Sequence, residues 1–159
     1  MIKDFIIISS TGLVMIFITS LIIYEIFGCV WKILPRLDLS KRLRVPFVIV
    51  PIFTAHILNI WLYALIYLMI AHATSMGLIA GSAISGLGKG VSFYDYLYFS
   101  AVTYTTVGFG DIVATGMLRM LAATEALNGL VLMGWTISFT YLAMEDYWKT
   151  TDKDSRSVD

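Results

Sequence analysis

The chain has 159 residues, 58% of them hydrophobic and 14% charged, with zero formal net charge and a mean hydropathy of +0.83. That composition excludes a soluble domain built around one large core and indicates a membrane protein. The balanced charge gives no sign of nucleic-acid binding, and no HExxH, Walker-type phosphate loop or GxSxG points to an enzyme or an organic cofactor.

Residues 5–30, FIIISSTGLVMIFITSLIIYEIFGCV, form the first apolar run. A bilayer crossing takes roughly 20 residues, so the run is long enough to span. Lys3 ahead of it raises a signal peptide as the competing reading. The run exceeds a usual signal core and no small-x-small cleavage site follows, so a retained helix is expected. Glu25 near its far end can reach the interface. The single cysteine, Cys29, allows no intrachain disulfide.

Residues 31–44, WKILPRLDLSKRLR, carry Lys32, Arg36, Lys41, Arg42 and Arg44 against Asp38. A short loop rich in Lys and Arg stays in the cytoplasm, which places the N-terminus outside. Pro35 breaks the helix there, and Trp31 suits the headgroup layer. Residues 45–72 form the second span, with Pro46 and Pro51 in its first turns. His56 and Asn59 lie deep in this apolar stretch and must face protein, because buried polar groups are costly in lipid. Residues 73–92, with Gly77, Gly81, Gly86, Gly88 and Gly90, read as a flexible outer loop whose apolar part can extend the span.

Residues 92–105, SFYDYLYFSAVTYT, are too few to cross a membrane. Ser92 with Asp95 fits a helix-start pattern. The helix then meets Thr105-Thr106-Val107-Gly108-Phe109-Gly110-Asp111. A lone G-x-G is more often a turn between helices. Here Gly108 and Gly110 alternate with side chains that can pack outward, Val107 and Phe109, and Thr106 offers a hydroxyl below its own carbonyl.

This TTVGFGD stretch between two spans resembles the selectivity filter of the potassium-channel family. In that family, rings of backbone carbonyls replace the hydration shell of the ion. The resemblance implies that the carbonyls of Thr106, Val107, Gly108 and Phe109 line the K+ sites, with Gly110 at the outer mouth and Asp111 just outside it. Tyrosine is the commoner residue at position 109, and phenylalanine lacks its hydroxyl. Val102 stands where some members carry an acid behind the filter. By the same resemblance, residues 73–92 occupy the place of the outer turret and residues 92–105 that of the re-entrant pore helix. Such a helix directs the negative end of its dipole at the ion path.

Residues 117–143 form the third span, with Arg119 at its outer end near Asp111 or Asp95. The resemblance makes it the inner helix. Gly129 and Gly134 match hinge-region glycines in spacing, and close helix packing explains them equally well. From Gly129 onward, Leu130, Met133 and Ile137 share one face and would line a mostly apolar cavity. Residues 146–159 form a short polar cytoplasmic tail, too short for a regulatory domain and with a disordered end.

The expected architecture is an all-α membrane protein. An additional N-terminal helix (1–30) and a basic loop (31–44) precede a pore domain (45–145), which holds two spans, the pore helix and the filter loop. One filter strand cannot surround an ion, so a homotetramer is implied. The expected function is passive, potassium-selective conduction across a plasma (inner) membrane, with potassium ions and lipid as partners. No span carries arginines at every third position, so voltage sensing of the usual kind is not expected. The alternatives are a less selective cation channel and a non-conducting, channel-like sensor or partner-binding protein. A further expectation concerns His56 and Glu125. His56 lies roughly 16 Å from the inner end of its span at helical rise. Glu125 lies about 18 Å from the inner side of a ~30 Å hydrocarbon core. The two are expected to pair across adjacent helices, with Glu125 facing away from the cavity. Separate bonds to backbone, Thr, Asn59 or Asn128 are the alternative.

Overall fold

The computed structural model describes residues 2–36, 41–74, 77, 79–81 and 91–156. Three long helices dominate it: α1 (Ile2–Ile33), α2 (Lys41–Ala73) and α4 (Leu118–Arg156). Each contains a window apolar enough to cross a membrane. Between α2 and α4 lie β1 (Ile79–Gly81), the short helix α3 (Phe93–Tyr104) and β2 (Ile112–Ala114). The architecture is therefore all-helical, with three candidate membrane spans and a short pore-like helix between the second and third.

Each long helix buries one stripe and leaves the remainder apolar. On α1 the buried residues are Ile8, Gly12, Met15, Thr19, Ile23, Phe27 and Val30, at steps of three and four. This is the spacing of a single helix face. Val48, Ile52, Ala55, Asn59, Tyr63 and Tyr67 repeat the pattern on α2. On α4 the stripe is Leu118, Leu121, Glu125, Asn128, Leu132 and Thr136. Large apolar side chains such as Leu13, Phe17, Phe53 and Met69 point outward. A helix apolar all round belongs in lipid, where that outer surface has a matching solvent.

Helices α1 and α4 run parallel and touch along their length. A Cβ on Gly12 would meet Thr124 at 3.1 Å, Asn128 Nδ2 donates to Thr19 Oγ1 at 2.8 Å, and Phe27 stacks on Phe139 with centroids 3.8 Å apart. Helices α2 and α4 run antiparallel: Tyr67 meets Glu125, Tyr63 meets Asn128, and His56 meets Thr136. Membrane helices lack a hydrophobic drive to associate, so close packing and such hydrogen bonds carry the contact.

Three boundaries differ from expectation. Helix α2 starts at Lys41, so the end of the basic segment is helical. Residues 37–40, and the side chains of Lys41, Arg42 and Arg44, lie outside the described residues. Helix α4 continues to Arg156, because neither Gly nor Pro interrupts the polar segment after residue 144. The end of the tail, expected to be disordered, includes residues 157–159, which lie outside the described residues. Finally, part of the glycine-rich loop is strand. Ile79–Gly81 pairs antiparallel with Ile112–Ala114, in register Ile79 with Ala114 and Gly81 with Ile112. Gly81 is there for space, since a Cβ would overlap the carbonyl oxygen of Asp111. Residues 82–90, with Gly86, Gly88 and Gly90, lie outside the described residues.

Candidate functional site: the hairpin of pore helix and filter

Helix α3 starts as its sequence predicts. Asp95 Oδ2 accepts from the Ser92 amide at 2.7 Å and from Ser92 Oγ at 2.8 Å, which holds the residue before the helix in extended conformation. The helix is wedged between α2 and α4 by its buried face, Tyr96, Phe99, Ser100 and Tyr104. Phe99 packs edge-on against Tyr67, and Ser100 Oγ lies 2.9 Å from the Ile60 carbonyl oxygen. This covers one face of a short helix that lies between two candidate spans.

Beyond α3 the chain folds back on itself. The Thr105 amide donates to the Ala101 carbonyl and the Thr106 amide to Thr103. The amides of Val107 and Gly108 both donate to the Val102 carbonyl, at 3.0 and 3.3 Å. Four successive donors are thus turned into the pore helix. Among the described residues, the carbonyls of Thr106, Val107, Gly108 and Phe109 accept no hydrogen bond in return.

The dihedrals explain how the strand is held. Thr106 has φ +60°, Gly108 φ +58° and Gly110 φ +79°, whereas Val107 and Phe109 are not in the positive region. Alternation of left- and right-handed residues turns successive peptide groups in a common direction. Glycine occupies the left-handed region freely. Threonine does not, and Thr106 carries strain of order 1–3 kcal/mol. Such strain persists where surrounding structure over-determines the backbone, here the bond from its amide to Thr103.

Asp111 closes the hairpin. Its Oδ2 accepts from Tyr98 Oη at 2.8 Å, and its Oδ1 from the Ile112 amide at 3.0 Å. Arg119 lines the same cleft behind the filter as Asp111, but among the described residues it makes no ion pair with Asp111 or Asp95. Val107 and Phe109 are largely uncovered, at 54% and 70% exposed.

His56 and Glu125 do not pair. His56 Nδ1 lies 2.9 Å from the Tyr104 hydroxyl, and its Nε2 lies 3.1 Å from Thr136 Oγ1. Glu125 Oε2 accepts from the Tyr67 hydroxyl at 2.5 Å, and Oε1 lies 2.6 Å from Ser100 Oγ. Depth alone suggested a pair, but the intervening turns of α3 supply hydroxyls to both groups. Glu125 is fully buried, whereas Leu130, five residues on, is exposed.

Helix α4 runs through Gly129 and Gly134 without interruption. A Cβ on Gly129 would overlap the Tyr104 carbonyl oxygen, whereas Gly134 has open space. Leu130 and Ile137 lie on an exposed stripe with Leu127, Gly134 and Tyr141. Met133 lines a groove of about 660 Å3 between α2 and α4, together with His56, Thr105, Thr136 and, from the exposed stripe, Ile137 and Tyr141.

Sequence reasoning missed Tyr63, Tyr67, Tyr98, Ser100 and Tyr104. A signal existed: Asn59, Tyr63 and Tyr67 recur every four residues in an apolar span, as do Ser100 and Tyr104 in α3.

Comparison with known proteins places this hairpin in context. A family model described as an ion channel matches residues 56–145. Protein LctB of Geobacillus stearothermophilus is 37% identical over 71 residues, covering 44% of this chain and 52% of that protein. The chain thus matches about half the length of that relative. No solved structure matches the chain.

Proposed function

The chain belongs to this ion channel family, and we propose that within it the protein is a potassium-selective channel that conducts passively. The observation that carries the reading is the run of four carbonyls from Thr106 to Phe109 that accept no hydrogen bond among the described residues, with the amides of Thr106, Val107 and Gly108 bonded backward into α3 and φ alternating in sign from Thr106 to Gly110. A potassium ion sheds its water when several carbonyl oxygens at fixed spacing replace it. The chain's own work is to hold those oxygens in line. The backward bonds to Val102 and Thr103 do this from behind, and the Tyr98–Asp111 bond does it from the outer end. The C-terminal end of α3, at Tyr104, adds the negative end of its dipole near the ion path. Gly110 then forms the outer mouth, and the Asp111 carboxylate attracts cations to it.

A closed ring needs several strands, and four copies of one chain are the assembly proposed. Two features support it. Val107 and Phe109 are uncovered in one chain, and α4 exposes Leu127, Leu130, Gly134, Ile137 and Tyr141 at steps of three and four. Leu130 and Ile137 on that stripe would line the cavity, with Met133 at its edge. Gly129 and Gly134 are the proposed hinge positions, with Gly129 also serving the contact to Tyr104. The basic residues of 31–44 favour the cytoplasmic side, which puts the N-terminus outside a plasma membrane and α4 ending inside. Helix α1 is an addition to the pore domain and packs on the inner helix, away from the filter.

The test is ion flux through purified protein in liposomes. Potassium flux at least tenfold above sodium flux supports the reading, a difference of about 1.4 kcal/mol. Equal sodium and potassium fluxes would make it a less selective cation channel. Absence of flux would leave a non-conducting sensor of the same fold.

A further inference from the structure

The surroundings of Glu125 allow its protons to be counted. Its side chain is fully buried on α4. Oε2 accepts from the Tyr67 hydroxyl at 2.5 Å, and Oε1 lies 2.6 Å from Ser100 Oγ. Ser100 Oγ in turn lies 2.9 Å from the main-chain oxygen of Ile60. A serine hydroxyl has one proton, and a carbonyl oxygen has none to give. An ionised Glu125 would leave that one proton to serve two acceptors. One of the two contacts would then set oxygen against oxygen with no hydrogen between them.

A carboxylic acid closes every bond. Glu125 Oε1–H donates to Ser100 Oγ, Ser100 Oγ–H donates to the Ile60 carbonyl, and Tyr67 Oη–H donates to Oε2. No other proton is required and no oxygen is left over. The charge environment agrees. The titratable groups facing Glu125 are Tyr63 and Tyr67 on α2 and Tyr104 on α3. The buried face of α1 presents none. Among the described residues, no Lys or Arg pairs with the carboxyl, and an isolated charge at membrane depth is costly.

We propose that Glu125 is kept as a neutral carboxylic acid, and that in this form it is a positioning residue of the pore. Through Ser100 it ties the inner helix α4 to the pore helix α3, and through Tyr67 it ties α4 to α2. Ser100 lies on the last turns of α3, directly ahead of the filter. Removal of the proton breaks one of the contacts at Ser100 and frees that end of α3. The consequence for conduction rests on the channel reading given above, whereas the protonation state does not.

The experiment uses the full chain in lipid, with two readouts. In infrared difference spectra at neutral pH, Glu125→Gln removes the C=O stretch of a protonated carboxylic acid, a band that shifts on 13C-glutamate labelling. Loss of carboxylate bands alone would overturn the proton assignment. In the flux assay, Gln supplies an N–H for Ser100 and a C=O for Tyr67, so Glu125→Gln keeps flux within about twofold of wild type. Glu125→Ala lowers it about tenfold or more, the loss expected when a buried bond set is left unmade. Alkaline pH lowers wild-type flux and leaves the Gln variant unchanged. Equal losses in the Gln and Ala variants, or identical pH profiles for wild type and Gln, would overturn the positioning role. A wild type that carries no ions would overturn the channel reading and that role together, while the infrared band still decides the proton.

Discussion

Gly129 on α4 lies directly against the backbone of Tyr104, the last residue of α3, with no room for a Cβ between them. This contact joins the helix proposed to line the cavity to the base of the proposed filter. It also gives Gly129 a packing role that spacing alone left balanced against a hinge.

Gly129→Ala is therefore expected to destabilise the assembly by about 1–3 kcal/mol, the usual cost of overpacking. Gly134→Ala, with open space around it, should leave stability within about 0.5 kcal/mol. Thermal unfolding of both variants in detergent is the measurement. With stability unaffected, any change in open probability in Gly134→Ala reports bending of α4 itself. Equal destabilisation by the two substitutions would remove the contact argument.

Gly108→Ala and Gly110→Ala are expected to abolish selective flux. Neither would clash, since nothing lies within 4 Å of an added Cβ. The penalty is the backbone: φ of +58° and +79° costs an L-residue roughly 1–2 kcal/mol, repeated in every copy. Potassium-to-sodium flux ratios in liposomes would show it. Wild-type ratios in both variants would mean that these dihedrals do not hold the filter.

Asp111→Asn and Tyr98→Phe test the outer closure. Each weakens or removes the 2.8 Å bond from Tyr98 to Asp111. Both variants are expected to shorten the duration of conduction in single-channel records. Asp111→Asn should also lower conductance, because the mouth loses its charge. Identical conductance in Asp111→Asn and wild type would deny the carboxylate its role in attracting cations.

Phe27→Ala should loosen α1 from α4 without changing ion preference. Phe27 stacks on Phe139 and meets Trp135 edge-on. A buried aromatic pair contributes about 0.5–1.5 kcal/mol beyond its area. The expected result is a lower unfolding temperature with an unchanged potassium-to-sodium ratio, since α1 makes its contacts away from the filter. A changed ratio would implicate α1 in the filter's geometry.

His56→Ala and Glu125→Gln should be additive in stability to within about 0.5 kcal/mol, because the two side chains share no hydrogen-bond partner and meet only through the neighbouring Tyr104. His56 bonds to Tyr104 and Thr136, whereas Glu125 bonds to Tyr67 and Ser100. A double-mutant cycle on unfolding temperature reads the coupling. A large coupling energy would restore a direct link between the two.

The sequence by itself determined the three candidate spans, the short helix between the second and third, and the glycine stretch proposed as the filter. It did so because these features are local. Span length follows from apolar run length, the start of α3 from Ser92 and Asp95, and the backbone freedom at 108 and 110 from glycine. The positive φ at Thr106 was not legible, because no residue preference asks for it and the backward bond to Thr103 imposes it. The tertiary structure decided the polar partners. Depth along a helix placed His56 and Glu125 at one level, but depth says nothing of what lies between two helices. There, α3 inserts Ser100 and Tyr104, and each ionisable group takes the nearer hydroxyl. The strand at Ile79–Gly81 was hidden for the same reason. Three residues have no period of their own, and their order comes from pairing with Ile112–Ala114, some 30 residues away along the chain.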